Sequence, residues 1–416
     1  MKKGIILFLL FFSTILHAQK EEEITPPDYI KSIVFKGDRE GDQFPVVRIG
    51  ETFTLSFDDI TASEADYYYK IVHCNYDWTP SNLSKQQYLN GLDNQRIVNY
   101  QNSYNTLQPY SNYQLTFPNN LTRIKLSGNY ILKIYNANDA LMFSRRFVVY
   151  KDLVSVEVIL KRSRNLSVIN EKQVVQFVID SRGKPLVNPQ QQVKVAILQN
   201  SYWPGAITDI KPQFYSGNQL VYRYDKETAF DGGNEFLFFD NKEIRTAGNG
   251  ILKVSLEDIY NHYLYVDRNR NRNTLPYAYN PDLNGDFLIR TLEGTDSHIE
   301  SDYARVHFAL EYDNFIGLDN VYVYGKFNNY VLTSENKLKF NEQEKLLETS
   351  IILKQGFYNY KYVTVDDKGS INHVKISGNH FATENNYLVI VYYRNFGEMY
   401  DSIIGIGSAS SVNISN

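Results

Sequence analysis

The residues of this 416-residue chain that could do chemistry are a handful of histidines, one cysteine and many scattered carboxylates. Beyond residue 18 the histidines are His73, His262, His298, His307, His373 and His380. None stands four residues from another, and none falls in a cysteine- or carboxylate-bearing pattern with metal-ligand spacing, so no zinc site is expected. The sequence has no G-x-S-x-G elbow, P-loop or Rossmann glycine fingerprint. A glycosidase pair is defined by a separation in space, which spacing along the chain does not supply. Cys74 lies in an aromatic and β-branched run and reads as a buried thiol; alone, it cannot close an internal disulfide. The expectation is a non-enzymatic protein with no catalytic, cofactor-binding or metal-ligating residues.

Two loops offer binding chemistry instead. Tyr202-Trp203-Pro204-Gly205 sets two amphipathic rings beside a Pro-Gly turn, where interface anchors concentrate. The alternative is a loop folded back on its own sandwich. Asp267-Arg268-Asn269-Arg270-Asn271-Arg272-Asn273 is locally basic and could hold an anion or an acidic partner, or be merely solvated. Tyr202, Trp203, Arg268, Arg270 and Arg272 are therefore the candidate partner contacts. Asp282-Leu283-Asn284-Gly285-Asp286 shares residue types with a calcium loop, but lacks the full spacing and the terminal glutamate. It reads as a hairpin turn.

The elements that must position these loops are strands. Aromatic content is 14%, with 34 tyrosines, which favours pleated, half-buried surfaces. Tyr67–Val72 is an aromatic, β-branched strand stopped by Asp77-Trp78-Thr79-Pro80, with Trp78 folding back as an apolar anchor. Residues 52–57 alternate, with Phe53, Leu55 and Phe57 on one face. Ser84 and Gln87 can cap one short helical turn. Met1–Ala18 has a basic start and an apolar stretch too short to span a bilayer, so it reads as a cleaved signal peptide. No other apolar run is long enough to insert in a membrane. Without Lys2 and Lys3 the net charge falls from −4 to about −6, which argues against a nucleic-acid partner.

Residues 19–27 read as a flexible charged leader. The patterning then divides into sandwiches over residues 28–150, 151–300 and 301–400, with a loose tail at 401–416. The expected fold is all-β, three immunoglobulin-like (E-set) β-sandwich domains in series. Val321–Tyr330, Gly356–Tyr362 and Gly378–Tyr387 resemble the glycogen-binding type of immunoglobulin-like domain. That type stacks aromatic rings on sugars, often tryptophan. Here Tyr330 stands where tryptophan is common and no tryptophan follows Trp203, so carbohydrate is not the expected partner although Tyr330 and Tyr358 could stack.

Cys74-Asn-Tyr-Asp-Trp-Thr-Pro-Ser81, Tyr88-Leu-Asn-Gly91, Asn102-Ser103, Tyr110 and Tyr113–Pro118 closely resemble the plug protein family of the bacterial type IX secretion system, and Leu275–Phe287 agrees. The resemblance implies a periplasmic component, peripheral to the inner face of the outer membrane after Sec export. Its partner would be the outer-membrane translocon barrel, whose periplasmic opening it would plug when no cargo is in transit. The alternative is a periplasmic carbohydrate-binding protein using the C-terminal module. Ser408–Asn416 carries no dense basic motif and does not resemble the sorting domain that ends many cargo proteins of this system.

Overall fold

The structure, a computed structural model, describes residues 19–38, 44–92, 94–183, 185–271 and 277–414. The expected signal peptide, residues 1–18, lies outside them. Tyr67–Cys74 is a strand whose side chains alternate as expected: Tyr67, Tyr69 and Ile71 are buried, while Tyr68, Lys70 and Val72 are half-exposed. It lies in a sheet ordered Val46–Arg48, Leu141–Tyr150, Gly128–Asn136, Tyr67–Cys74, Gln95–Arg96. The facing sheet runs Ile30–Gly37, Phe53–Asp59, Ser111–Phe117, Tyr100–Asn102. Between them lies an aromatic core. Phe57 stacks on Tyr113 at 5.1 Å and meets Tyr67 edge-on at 5.3 Å. Such pairs add about 0.5–1.5 kcal/mol each beyond area burial. The cap at Ser84 forms as expected, its N–H donating to Gln87 Oε1 at 2.7 Å ahead of the turn Lys85–Tyr88.

The second and third sandwiches are not in series. Ser155–Arg162, Lys172–Asp180, Gln219–Tyr222 and Phe214–Ser216 form one sheet. Its partner sheet joins Val193–Gln199 to Asn386–Tyr393 and Ser402–Ser410, strands from the far end of the chain. The third sandwich is inserted between these halves. One of its sheets centres on Gly356–Val365, paired with Leu237–Asp240, Phe287–Ile289 and Asn320–Tyr324. The other runs Ile251–Leu256, Tyr260–Leu264, Tyr303–Glu311, Leu346–Lys354, Lys339–Asn341. The expected boundary at residues 300/301 therefore moves, because Leu237–Asp240 and Phe287–Ile289 belong with the later strands. The expected loose tail is instead a core strand: Ile403 and Ile404 are buried, and Ser402–Ser410 pairs with Asn386–Tyr393 along its length apart from a bulge at Ile404. Alternation reports that a strand is buried, not which strand it pairs with.

Polar contacts knit the sandwiches into one body. Asp58 of the first and Lys354 of the third form an ion pair of 2.7 Å that is wholly buried, 0% and 2% exposed. Tyr303 Oη also donates to Asp58 at 2.7 Å, and the Lys354 ammonium lies 4.0 Å over the Tyr110 ring. Between first and second, Tyr392 Oη donates to Asn129 Oδ1 at 2.9 Å, and Arg394 bridges Asp401 (2.9 Å) and Asn75 (3.1 Å).

The leader is pinned rather than flexible. Glu21 pairs with Lys133 at 2.7 Å, Ile24 N–H donates to Ser144 Oγ at 2.8 Å, and Glu23 accepts from Arg146 N–H and Asn329 Nδ2. Its glutamates meet cationic neighbours from two sandwiches. Burial alone would raise the Glu23 carboxyl, but Arg145 and Lys326 hold it below its ordinary value.

Candidate functional site

The turn Trp203–Gly205 follows the strand Val193–Gln199. Its two rings point into different sandwiches. Tyr202 Oη and Tyr324 Oη share a 2.8 Å hydrogen bond, and the Tyr202 ring lies 5.3 Å from Tyr330 and 5.8 Å from His373. Trp203 meets Trp78 edge-on at 4.8 Å and Phe44 at 6.0 Å. Trp78 is itself buried against Cys74 and Ile131, with the Arg146 guanidinium 4.3 Å above its ring. The four residues Tyr202–Gly205 of the second sandwich thus join the third through Tyr202 and the first through Trp203. Both rings are half-buried, so they serve the chain's own joints. Neither expectation for this loop foresaw that arrangement, because the partners come from residues more than 100 positions away.

The basic loop divides. Arg268 is 83% exposed at its side chain and faces Glu311 at 3.1 Å. Arg270 turns inward and donates to the Glu235 carbonyl at 2.7 Å; burial lowers its affinity for a proton although Asp267 opposes this. Arg272 lies outside the described residues. Only Arg268 of the described arginines here offers a charge to solvent.

Asp282–Asp286 contains a turn, but not that of the expected hairpin, since the strand after it, Phe287–Ile289, pairs with Gly356–Val365. Asp282 accepts Asn284 N–H and Phe236 N–H, and Leu283 N–H donates to Asn359. Gly285 has φ +87°, and a Cβ there would strike Phe236 and the Tyr330 hydroxyl at 2.7 Å. Burial pushes the Asp282 carboxyl up to about 7 and Asp286 to about 6. Among the described residues, no group of three or more His, Cys, Asp or Glu is placed to hold a metal ion.

His73 is buried, Nδ1 2.8 Å from Ser81 Oγ, with burial pulling its pKa down to about 4. Gly128 packs so closely on its ring that a Cβ would lie 2.3 Å from Nε2. Burial pushes the Cys74 thiol up to about 12, which leaves it a poor nucleophile. Tyr358 is 1% exposed in the third core, and Tyr330 packs 5.1 Å from Tyr324, so neither offers an open ring face to a sugar.

What the surface does offer was not foreseen. Phe315 (56% exposed) and Leu318 (103%) tip the loop after Tyr303–Glu311, and Phe396 (93%) tips the hairpin before Ser402–Ser410. The signal was present: an aromatic or aliphatic residue beside glycine, flanked by Asn, Asp or Glu, marks an apolar residue held on a turn.

The fold and these contacts define an all-β protein of interlocked sandwiches whose aromatic turns fasten its own parts. Residues 30–151 match the family model described as "Type 9 secretion system plug protein 1st domain", and the first sandwich belongs to that domain family. Its structure is also similar to a crystal structure of a hypothetical protein from Parabacteroides merdae ATCC 43184. The two are 32% identical with a TM-score of 0.89, and the match covers 94% of this chain and all of that one. No curated protein matches the chain.

Proposed function

We propose that this chain is the non-enzymatic stopper of the type IX secretion system, binding the periplasmic opening of the outer-membrane translocon barrel and closing it when no cargo is in transit. The observation that carries this reading is the family match over residues 30–151, which supports a component of that system. The physical case is supportive. A wide barrel leaks unless its lumen is sealed, and a stopper must resist deformation. Three sandwiches locked by a buried ion pair and a shared aromatic turn meet that need. Among the described residues no helix is long and apolar enough to cross a membrane, which suits attachment by contact with a membrane protein. The carbohydrate-binding alternative loses its platform, since Tyr358 is core and Tyr330 is packed against Tyr202 and Tyr324.

The test is deletion of the gene in its own host, followed by uptake of a large antibiotic that an intact outer membrane excludes. Increased sensitivity, reversed by the wild-type gene, is the expected result. Unchanged permeability overturns the reading.

A further inference from the structure

The leader sits on a sheet edge that the strands leave uncovered. Val46–Arg48 pairs with Leu141–Tyr150 only over Val148–Tyr150, and among the described residues no strand covers that edge at Ser144 and Arg146. The leader takes the place: Ser144 N–H donates to the Ile24 carbonyl at 3.3 Å, and Arg146 N–H to Glu23 Oε1 at 2.7 Å. Glu21 adds its ion pair to Lys133, and its carbonyl accepts Arg146 Nη2 at 2.8 Å. Beneath lies a cavity of about 120 Å³ between the first and third sandwiches, walled by Glu23 and Pro26 of the leader and by Arg145 and Lys326 opposite. Among the described residues neither Arg145 nor Lys326 forms an ion pair, and Arg145, 8% exposed, donates from Nη1 alone, to the Ile24 and Ser144 carbonyls. Four cations thus line the seat: Lys133, Arg145, Arg146 and Lys326. Outside the leader their carboxylate neighbours are Asp28 and Asp77, both exposed, and Asp286, which Lys36 also faces. Lys31 and Glu335 on the cavity wall neutralise each other at 2.8 Å.

We propose that this seat is a docking site for an extended acidic segment of a partner protein, and that the leader is its resident stand-in. The leader itself displays the chemistry that fits. Residues two apart in an extended chain point the same way, and Glu21 and Glu23 both reach the cationic side. An extended segment laid on a free sheet edge gains main-chain hydrogen bonds there and takes its specificity from alternate side chains. The leader uses that edge sparingly, with one long main-chain bond from Ser144. It buries little apolar surface, since Glu22, Ile24 and Thr25 are exposed, so charge supplies most of its hold. It belongs to no strand, so its departure breaks no ladder and strands the cations it had neutralised. Tethering gives it an effective concentration of roughly millimolar order, so it yields only to a segment that binds better. This inference is independent of the plugging role, since it names a recognition chemistry that stands whichever protein supplies the segment.

The test uses the full mature chain, as wild type and as E21Q/E23Q, with a fluorescein-labelled peptide of residues 19–25 in fluorescence anisotropy. The two glutamines keep the leader's shape and remove the charges that hold it, which opens the seat to competition. The variant is expected to bind the peptide about tenfold more tightly than wild type, and less tightly as salt rises. A peptide with glutamine at the same two positions is expected to bind about tenfold more weakly than the acidic one. Unchanged urea melting confirms that the variant is folded; E23Q alone replaces it if it is not. Three results each overturn the proposal: equal affinity of the two chains, equal affinity of the two peptides, or no binding to the variant at millimolar peptide. Equal displacement by citrate overturns it too, reducing the seat to a general anion site. Sedimentation velocity is expected to show a monomer; a wild-type dimer abolished by E21Q/E23Q would give the seat to the leader of a second copy and overturn the assignment to a partner.

Discussion

At the scale of single residues, the buried Asp58–Lys354 pair is the contact whose loss should cost most. Taking either partner away strands the other charge where water cannot reach it, a penalty of about 3–5 kcal/mol. Asp58→Ala is therefore expected to lower the urea midpoint sharply. A double change, Asp58→Leu with Lys354→Met, should recover much of the loss, because a volume-matched apolar pair carries no desolvation cost. Additive losses in the double variant would show that the pair is not the source. His73 makes a second residue-level prediction. Below its ordinary pKa of 6.5 the unfolded chain takes up a proton there, whereas the folded chain refuses it until about pH 4. Its contribution to stability is thus present above pH 6.5 and lost as pH falls toward 4. In His73→Gln that share of the slope should vanish, leaving the wild-type and variant curves of unfolding free energy against pH to converge in acid. Parallel curves from pH 7.5 to 4.5 would refute the assignment.

At the scale of elements, the turn at Tyr202–Gly205 and the leader act as clamps between sandwiches. Trp203→Ala removes a ring seated against Trp78 and Phe44, so the first and second sandwiches should lose common protection. The expected loss is about 3 kcal/mol, near the lower end for a large aromatic because Trp203 is only half-buried. Hydrogen exchange across Tyr67–Cys74 and Val193–Gln199 would read it; changes confined to the turn would mean that it clamps nothing. The strands themselves were legible in the sequence, since alternation at Tyr67–Val72 and at residues 52–57 follows from the pleat. The cap at Ser84 was legible for the same local reason. The destinations were not. Nothing near Trp203 announces Trp78, and nothing near Glu21–Glu23 announces Lys133, Arg145 or Lys326, because those pairings are set by long-range topology. Tyr202 and Trp203 stood out in the sequence as candidate partner contacts; the contacts the structure shows for them are within the same chain.

At the scale of the whole molecule, the insertion decides how the chain can be divided. Gly233 and His380 mark where the third sandwich leaves and returns: His380 N–H donates to the Gly233 carbonyl at 2.7 Å, and Gly233 N–H donates to Asn379 Oδ1 at 2.9 Å. The two crossing segments are therefore already side by side. Replacing residues 235–379 by a short glycine-serine linker closes a gap the fold has already closed, and a shorter loop costs less closure entropy than the one it replaces. That chain is expected to keep the first two sandwiches and a single cooperative melt, weakened by the loss of Lys354 opposite Asp58; pairing the deletion with Asp58→Leu should restore part of the melting temperature. A chain ended at residue 383 should behave in the opposite way. It loses Asn386–Tyr393 and Ser402–Ser410, which supply two of the three strands in one sheet of the second sandwich, and with them the cover over Val195 and Ile197. Circular dichroism and exchange at Val193–Gln199 separate the two outcomes. Protection there in the truncated chain, or its loss in the linker chain, would mean that the second sandwich is not completed by the chain's end.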